Sequence, residues 1–452
     1  MRTANSSLQQ LLGEANWTQD LLARQVNALA REVGLTIRLD RRTVSHWLAG
    51  RKPRAPLPDL IAEALSRRLG RPLTAERVGL SDPQEERFGR DRDLDPLETL
   101  RQLSKLTEAG RESELGGAYC LGELAVPGWP AGLPPRPVAR PATGARLEPV
   151  HVSAAEAMAA LFADADAVFG GGHARAALGR YLAYDIAPRL RAPGARRIRD
   201  RMLAVATELT HLCALMCFDD EQHALAQRYF AAALALAVEN ENPAEYAAIL
   251  RSMSAQAHAL GHPVPALSLA RAAIESAEGR VLSDHQRAGL HGQFAVAAAA
   301  HGDGPAALAA LERADVLLRT GRIPRGAAVA AYHPAAHAHH AAAVHTLLGD
   351  LPAGIKMLSE SIRRRPAHER RTRAMAHALL AGMHLDQGHL DESVAACHAF
   401  IDAYPDLRSA RAHTALRTLQ ARLRPHSAHH SARQLLARAA AISRPARPHA
   451  VI

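Results

Sequence analysis

The chain has 452 residues, of which 48% are hydrophobic and only 4% aromatic, and its formal charge at pH 7 is +10. The length allows two or three domains with sizeable cores. Alanine dominates the hydrophobic fraction, and it is the best helix former but a poor strand former. The composition therefore argues against a β-rich fold and predicts an almost all-α protein, and its charge favours an anionic partner.

The basic excess lies at the two ends of the chain. Residues 1–80 carry 13 Arg or Lys against 7 Asp or Glu, whereas residues 81–150 carry 9 against 12. Residues 408–452 hold nine arginines and no acidic residue. An alternative explanation of these arginines is a biased composition, which would make residues 408–452 a solvated arginine-rich terminus.

The cysteines indicate a reducing compartment. Cys120, Cys213, Cys217 and Cys397 form no C-x-x-C pair, and the N-terminal residues show no apolar leader. No uninterrupted apolar run has the length of a membrane span. We expect a cytoplasmic protein with no membrane partner.

The first elements predict a small helical domain over residues 1–80. Leu8, Leu11 and Leu12 mark a first helix, and Thr18 is a suitable cap for a second helix that ends at Gly34. Residues 35–39 form a connector or a strand-like extension. After the segment 40–54, a helix from Leu60 to Leu69 ends at Gly70 and Pro72, and residues 74–80 add a short turn.

Residues 40–54 predict one short capped helix with a basic exit. Asp40 can cap the N–H of Thr43, and Gly50 supplies a C-terminal stop. Val44, Trp47 and Leu48 have helical spacing and should form its buried side. No acidic residue occurs between 41 and 54, and a short helix that presents Arg, Ser and His suits a major groove. The alternative is an ordinary amphipathic helix with a solvated basic face.

Residues 81–150 separate this domain from the rest of the chain. Residues 81–115 are acidic and contain a predicted short helix around 95–107. Residues 116–147 are rich in Pro and Gly, so we expect a flexible linker without regular structure that uncouples the two halves.

From about residue 150 the sequence predicts a repeated unit of a helix, a turn and a second helix. Four turns contain Gly261, Gly302, Gly349 and Gly388, which are 41, 47 and 39 residues apart. An earlier and less regular copy runs from Cys217 into Phe230. Hairpins of this size cannot bury their apolar faces alone, so residues 151–425 should stack as an α-solenoid, followed by a basic tail over 426–452. An irregular helical bundle is the alternative.

Two stretches together resemble the repressor-like helix-turn-helix family (Cro/CI, or XRE). They are Thr18-Gln19 with Leu22-Ala23, and Thr43-Val44-Ser45-His46-Trp47-Leu48-Ala49-Gly50; the part between Thr18 and Ser45 is about ten residues longer than that family has. The resemblance implies that the second stretch reads DNA bases and that the first contacts phosphate. The base-reading residues would be Arg41, Arg42, Ser45 and His46, and the phosphate-binding residues would be Thr18, Gln19, Arg51, Lys52 and Arg54.

The chain as a whole is similar to actinobacterial regulators, known from Streptomyces, that join such a domain to a tetratricopeptide (TPR)-like half. The stretches that match are Trp47–Gly50, Ala62–Pro72, Phe169–Arg175 and Leu225–Phe230. This group includes negative regulators of differentiation and antibiotic production. The resemblance implies a transcriptional regulator, associated with the nucleoid when it is bound to DNA, and favours repression slightly over activation. Homodimerisation is expected because DNA-binding modules of this size usually act as symmetric pairs.

Other motifs have simpler explanations than chemistry. Phe169-Gly-Gly-Gly-His173 lacks the Lys-Ser/Thr of a phosphate-binding loop and is better read as a turn. The histidines at 333, 337, 339, 340 and 345 lack carboxylates in step, and Cys213 and Cys217 suit a core. No catalytic motif occurs. We therefore expect no enzyme, no cofactor and no metal.

The sequence favours a DNA-binding transcriptional regulator that recognises specific sites as a dimer on double-stranded DNA. Its repeats would dimerise or sense a peptide, a small molecule or a protein. One alternative is a TPR-type interaction adaptor without sequence-specific DNA binding, and another is an RNA-binding regulator that uses both basic ends.

Overall fold

The computed structural model describes residues 4–32, 35–80, 95–108, 119–121, 124, 129, 146–321 and 332–442. Regular structure in these ranges is helical, apart from one isolated backbone bridge between Leu147 and Gly194. The expected all-α class is confirmed. The chain divides into two compact units: residues 1–157, 176–218 and 222–280 form the first, and residues 158–175, 219–221 and 281–452 the second.

Four helices and one shared core make up the N-terminal part of the first unit. Each helix has apolar residues at helical spacing on one side, and these sides face each other. The helices are α1 (Ser6–Ala15), α2 (Gln19–Glu32), α3 (Arg41–Leu48) and α4 (Leu57–Leu69). Fully buried members of the core include Leu8, Leu22, Val26, Val44, Leu60, Ile61 and Leu65.

The connector between α2 and α3, residues 35–40, belongs to no helix and pairs with no strand. The Asn27 side chain donates a 2.9 Å hydrogen bond to the Leu39 carbonyl and accepts one of 2.8 Å from the Leu39 N–H. One amide thus satisfies both backbone groups that a neighbouring strand would otherwise pair.

The remaining helices of the first unit include one from the acidic segment. That helix, α5 (Pro96–Glu108), confirms the short helix expected around 95–107. The helices that follow it are α6 (Pro149–Phe169), α7 (Gly171–Tyr181), a π-helical turn (Leu182–Ile186), α8 (Ala187–Arg191), α9 (Arg196–Asp219), α10 (His223–Glu239), α11 (Pro243–Ala259) and α12 (Pro263–Ala277). Helices α6, α7 and α9 each extend into the second unit.

Helix α9 is a core helix despite its composition. Among the described helices it alone is long and apolar enough to cross a membrane, but 83% of its most apolar window is buried in the protein. Its His211 ring lies 5.9 Å from the ring of Phe230 and hydrogen-bonds Ser252 Oγ at 2.9 Å. These contacts bind it to α10 and α11.

The predicted repeats are helical hairpins. The first consists of α11 and α12, and the turn glycines Gly261, Gly302, Gly349 and Gly388 all have φ between +77° and +94°. The other three pairs are α13 (Asp284–His301) with α14 (Gly304–Thr320), α15 (Pro334–Leu347) with α16 (Leu351–Arg364), and α17 (Arg370–Asp386) with α18 (Leu390–Ala403). The prediction that these four repeats are helical hairpins is confirmed.

The hairpins of the second unit stack in chain order. Helix α13 packs against α15, and α16 against α17, so neighbouring pairs share their apolar faces as a repeat array requires. Two more helices continue the stack: α19 (Ala410–Leu423) packs on α17, and α20 (His430–Ile442) packs on α18. The first part of the predicted basic tail is therefore a packed helix with Leu435 buried in the core, whereas residues 443–452 lie outside the described residues.

Candidate nucleic-acid interface

Helix α3 is capped by Asp40 at its start and is followed by the stop residue Gly50. Asp40 Oδ1 accepts hydrogen bonds from the Thr43 N–H at 2.8 Å and the Thr43 hydroxyl at 2.7 Å. These two bonds hold the pKa of Asp40 below its usual value. Gly50 has φ +88°, and its N–H donates to the Trp47 carbonyl. Eight residues thus form a short helix with defined ends.

The inward side of α3 anchors it to the N-terminal core. Val44 is fully buried and Trp47 is 3% exposed, while Leu48 is partly buried against the same core. The Leu48 carbonyl accepts a 2.9 Å hydrogen bond from the Asn5 N–H. Because the indole fixes the rotation of the helix, the opposite side has one defined orientation.

The outward side of α3 and the segment after it form a continuous basic surface. All seven of its residues are exposed, and no acidic residue occurs among positions 41–54. A groove beside the helix is lined by His46, Trp47 and the segment 50–54. We call this set the basic surface: Arg41, Arg42, Ser45, His46, Arg51, Lys52 and Arg54.

Thr18 and Gln19 lie at the start of α2, which packs against α3. The Thr18 hydroxyl accepts a 3.2 Å hydrogen bond from the Leu21 N–H and so caps this helix. Thr18 is exposed and Gln19 is half-buried. Both residues remain predicted phosphate contacts on the strength of the resemblance.

Asn5 was not identified from the sequence, although it connects three parts of the N-terminal fold. Its side chain caps α1 through the Leu8 N–H at 2.9 Å and donates to the carbonyls of Val78 and Gly79, both at 3.0 Å. An asparagine before an amphipathic helix is a readable capping signal. The bonds to Val78 and Gly79 span more than 70 residues of chain, so no local pattern reveals them.

The histidines of α15 form structural contacts. His333 Nε2 lies 2.8 Å from Glu369 Oε1, and that carboxylate also pairs with the buried Arg365. The Tyr332 hydroxyl lies 3.2 Å from His340 Nδ1, and burial lowers the pKa of His339 to about 4. Over the described part of the chain, no group of three His, Cys, Asp or Glu side chains is placed to hold a metal ion.

The glycine motif before α7 is occupied by the second unit's own side chains and backbone. The Gly171 N–H donates to Asp219 Oδ2 at 3.0 Å, and the Gly172 N–H donates to the Arg408 carbonyl at 2.8 Å. Arg175 pairs with Asp220 at 3.2 Å. The turn interpretation of this motif therefore agrees with the geometry, since a carboxylate of the same chain fills the helix N-terminus.

In comparisons with known proteins, one family model matches the N-terminal part of the chain, and the solved structures that match have low TM-scores. A model of the SP15 N-terminal domain matches residues 8–81. No curated protein matches the chain. A Podosopora anserina structure described as kinesin light chain with nearly identical TPR-like repeats is 17% identical over 45% of this chain and 96% of its own, with a TM-score of 0.32. The APC/C hetero-tetramer Cut9–Hcn1 is 12% identical over 95% of this chain and 68% of that chain, with a TM-score of 0.34.

Proposed function

We propose that this protein acts by binding partner molecules and that it is not an enzyme. The stacked hairpins of the repeats support the first part, because such arrays present extended surfaces on which partners bind. The partner class proposed for the repeats is a peptide, a small molecule or another protein. We propose no catalytic activity, because no cluster described above brings a nucleophile, a base and an open pocket together.

We further propose that the N-terminal helices bind double-stranded DNA in a sequence-specific way, which makes the chain a cytoplasmic, nucleoid-associated transcriptional regulator. The basic surface carries this proposal. Its helix is short, rigidly anchored by Trp47 and exposed along one side, which suits insertion into a major groove. Arg41 and Arg42 can each donate two hydrogen bonds to a guanine, and such a contact discriminates by about 1–3 kcal/mol.

We also propose that the protein binds DNA as a homodimer and acts as a repressor. DNA-binding modules of this size usually read two half-sites about one helical turn apart, about 34–36 Å. A dimer would therefore select a palindromic site. A regulator that only occupies its operator represses, and this sign of regulation rests on the resemblance to actinobacterial regulators.

A selection from a randomised duplex pool at physiological salt tests the DNA proposal. We expect the full chain to enrich one motif, with two related half-sites if it is a dimer. An R42A/S45A variant should lose that preference and keep its helical content. The matched control is S268A/R271A, which removes an exposed Ser and an exposed Arg at the same spacing from α12. The base-reading assignment is wrong if the two double variants behave alike.

The second candidate is an interaction adaptor that uses the repeats without sequence-specific DNA binding. The observation that favours it is the fold, since four helical hairpins occur between residues 243 and 403. The same selection separates the two: an adaptor enriches no motif, and any binding to duplexes falls steeply with salt irrespective of sequence.

A further inference from the structure

Residues 119–121 contact both the N-terminal helices and the repeats of the first unit. The Leu121 N–H donates a 2.8 Å hydrogen bond to Glu63 Oε2 on α4. Cys120 exchanges two hydrogen bonds with the Gln227 side chain on α10, its N–H donating at 3.0 Å and its carbonyl accepting at 2.8 Å. We call residues 119–121 the clasp.

The clasp is also held by an aromatic contact. The Tyr119 ring stacks on His262, the residue that precedes α12, with a centroid distance of 5.6 Å and an interplanar angle of 8°. Burial, together with the positive charge of Arg67, lowers the pKa of His262 to about 4, so this ring is neutral at pH 7. Arg67 belongs to α4, and it therefore lies close to a repeat residue as well.

The Glu63 and Gln227 side chains of this junction are buried, which makes the loss of their hydrogen bonds unfavourable. Glu63 is 1% exposed, Gln227 4% and Leu121 3%. Glu63 also pairs with Arg67 at 2.9 Å, so its charge is compensated inside the protein. Removing one member takes a hydrogen bond from a buried or part-buried group, and such a loss costs more than the net gain of an ordinary hydrogen bond.

We propose that the clasp couples α4 to α10 and α12, so that a change at the repeats alters the N-terminal helices. A partner that displaces Gln227 or His262 would remove the clasp from Glu63 and loosen α4. Helix α4 packs on α1 and α2, and α2 in turn packs on α3. The sequence predicted that the Pro/Gly-rich linker uncouples the two halves, but its described residues 119–121 join them. The coupling is a property of the fold and holds whatever ligand the N-terminal helices bind.

Hydrogen–deuterium exchange on the full chain, read by mass spectrometry, tests the coupling. Gln227→Leu should raise the exchange rate of amides in residues 57–69 about tenfold, because the two part-buried hydrogen bonds to Cys120 are lost. The matched control is Gln256→Leu, which removes a buried glutamine whose 3.0 Å bond to the His223 carbonyl stays inside the repeats. This control should leave residues 57–69 unchanged.

The reverse variant makes the test independent of any misfolding of Gln227→Leu. Glu63→Gln keeps the shape of the side chain but weakens the bond from Leu121, and coupling requires faster exchange in residues 223–239. Circular dichroism identifies a variant that has unfolded as a whole. The proposal is overturned if, in folded variants, exchange rises only in the helix that carries the substitution.

Discussion

The carboxylate of Asp219 accepts a 3.0 Å hydrogen bond from the backbone N–H of Gly171, the first residue of α7. The positive end of this helix therefore already holds an anion from its own chain. Gly170 leads into this contact with φ +94°, and the Arg408 carbonyl packs directly over it. The same carbonyl accounts for Gly170 and Gly172, because a Cβ at either position would lie 2.9 Å from its oxygen.

Gly170→Ala should destabilise the second unit more than Gly302→Ala does. Both glycines have φ +94°, so each substitution costs the left-handed backbone strain of about 1–2 kcal/mol. A Cβ on Gly170 would meet the Arg408 carbonyl at 2.9 Å, whereas one on Gly302 meets nothing within 4 Å. We expect an extra loss of about 1–3 kcal/mol for Gly170→Ala in urea unfolding. Equal losses for the two variants would show that the close approach does not matter.

Arg371→Leu should be far more destabilising than Arg370→Leu. Arg371 pairs with Asp166 at 2.9 Å and with Asp219 at 3.0 Å, and the two carboxylates raise its pKa although burial opposes its charge. Its loss leaves two buried carboxylates without that cation, which costs about 3–5 kcal/mol. Arg370 pairs with the exposed Asp406, which is worth at most about 1 kcal/mol. Chemical unfolding of both variants measures the difference in their free energies of unfolding. Similar losses would show that Arg371 contributes no more to stability than Arg370 does.

His211 should make the first unit less stable as the pH falls below 6.5. Burial lowers its pKa to about 3 in the folded protein, compared with about 6.5 in an unfolded chain. Between these values only the unfolded state binds the proton, so the free energy of unfolding decreases by about 1.4 kcal/mol per pH unit. His211→Gln should flatten this slope between pH 6.5 and 4.5. Melting temperatures across this range provide the measurement; an unaltered slope in His211→Gln contradicts the assignment.

Neutralising the segment after α3 should weaken DNA binding without changing its sequence preference. Arg51→Gln, Lys52→Gln and Arg54→Gln together remove three proposed phosphate contacts, so the slope of log K against log salt should fall by about 3. The control triple changes the exposed Arg271, Arg313 and Arg417 of the repeats to Gln. Titrations at several salt concentrations measure the slopes. If both triples have the slope of the unmodified chain, the segment 51–54 does not contact phosphate.

Much of the local structure could be read from the sequence, because helix signals act over a few residues. The Asp40 cap, the Gly50 stop and the short helix near 95–107 follow from patterns within one or two turns. The four hairpins follow from the repeated spacing of their glycine turns. A connector at 35–39 was predicted, but the hydrogen bonds that hold it were not, because they come from Asn27, twelve residues before Leu39.

The sequence by itself determined an all-α chain, its helical hairpins, and a short helix whose basic residues share one side. These features depend on helix propensity, caps and a period of 3.6 residues, all of which are local. Only the tertiary structure decided that Asp219 fills the α7 N-terminus and that residues 119–121 bridge Glu63 and Gln227. Those contacts join residues 48 to 107 positions apart, and their stability comes from shared burial of polar groups, which no single stretch of sequence encodes.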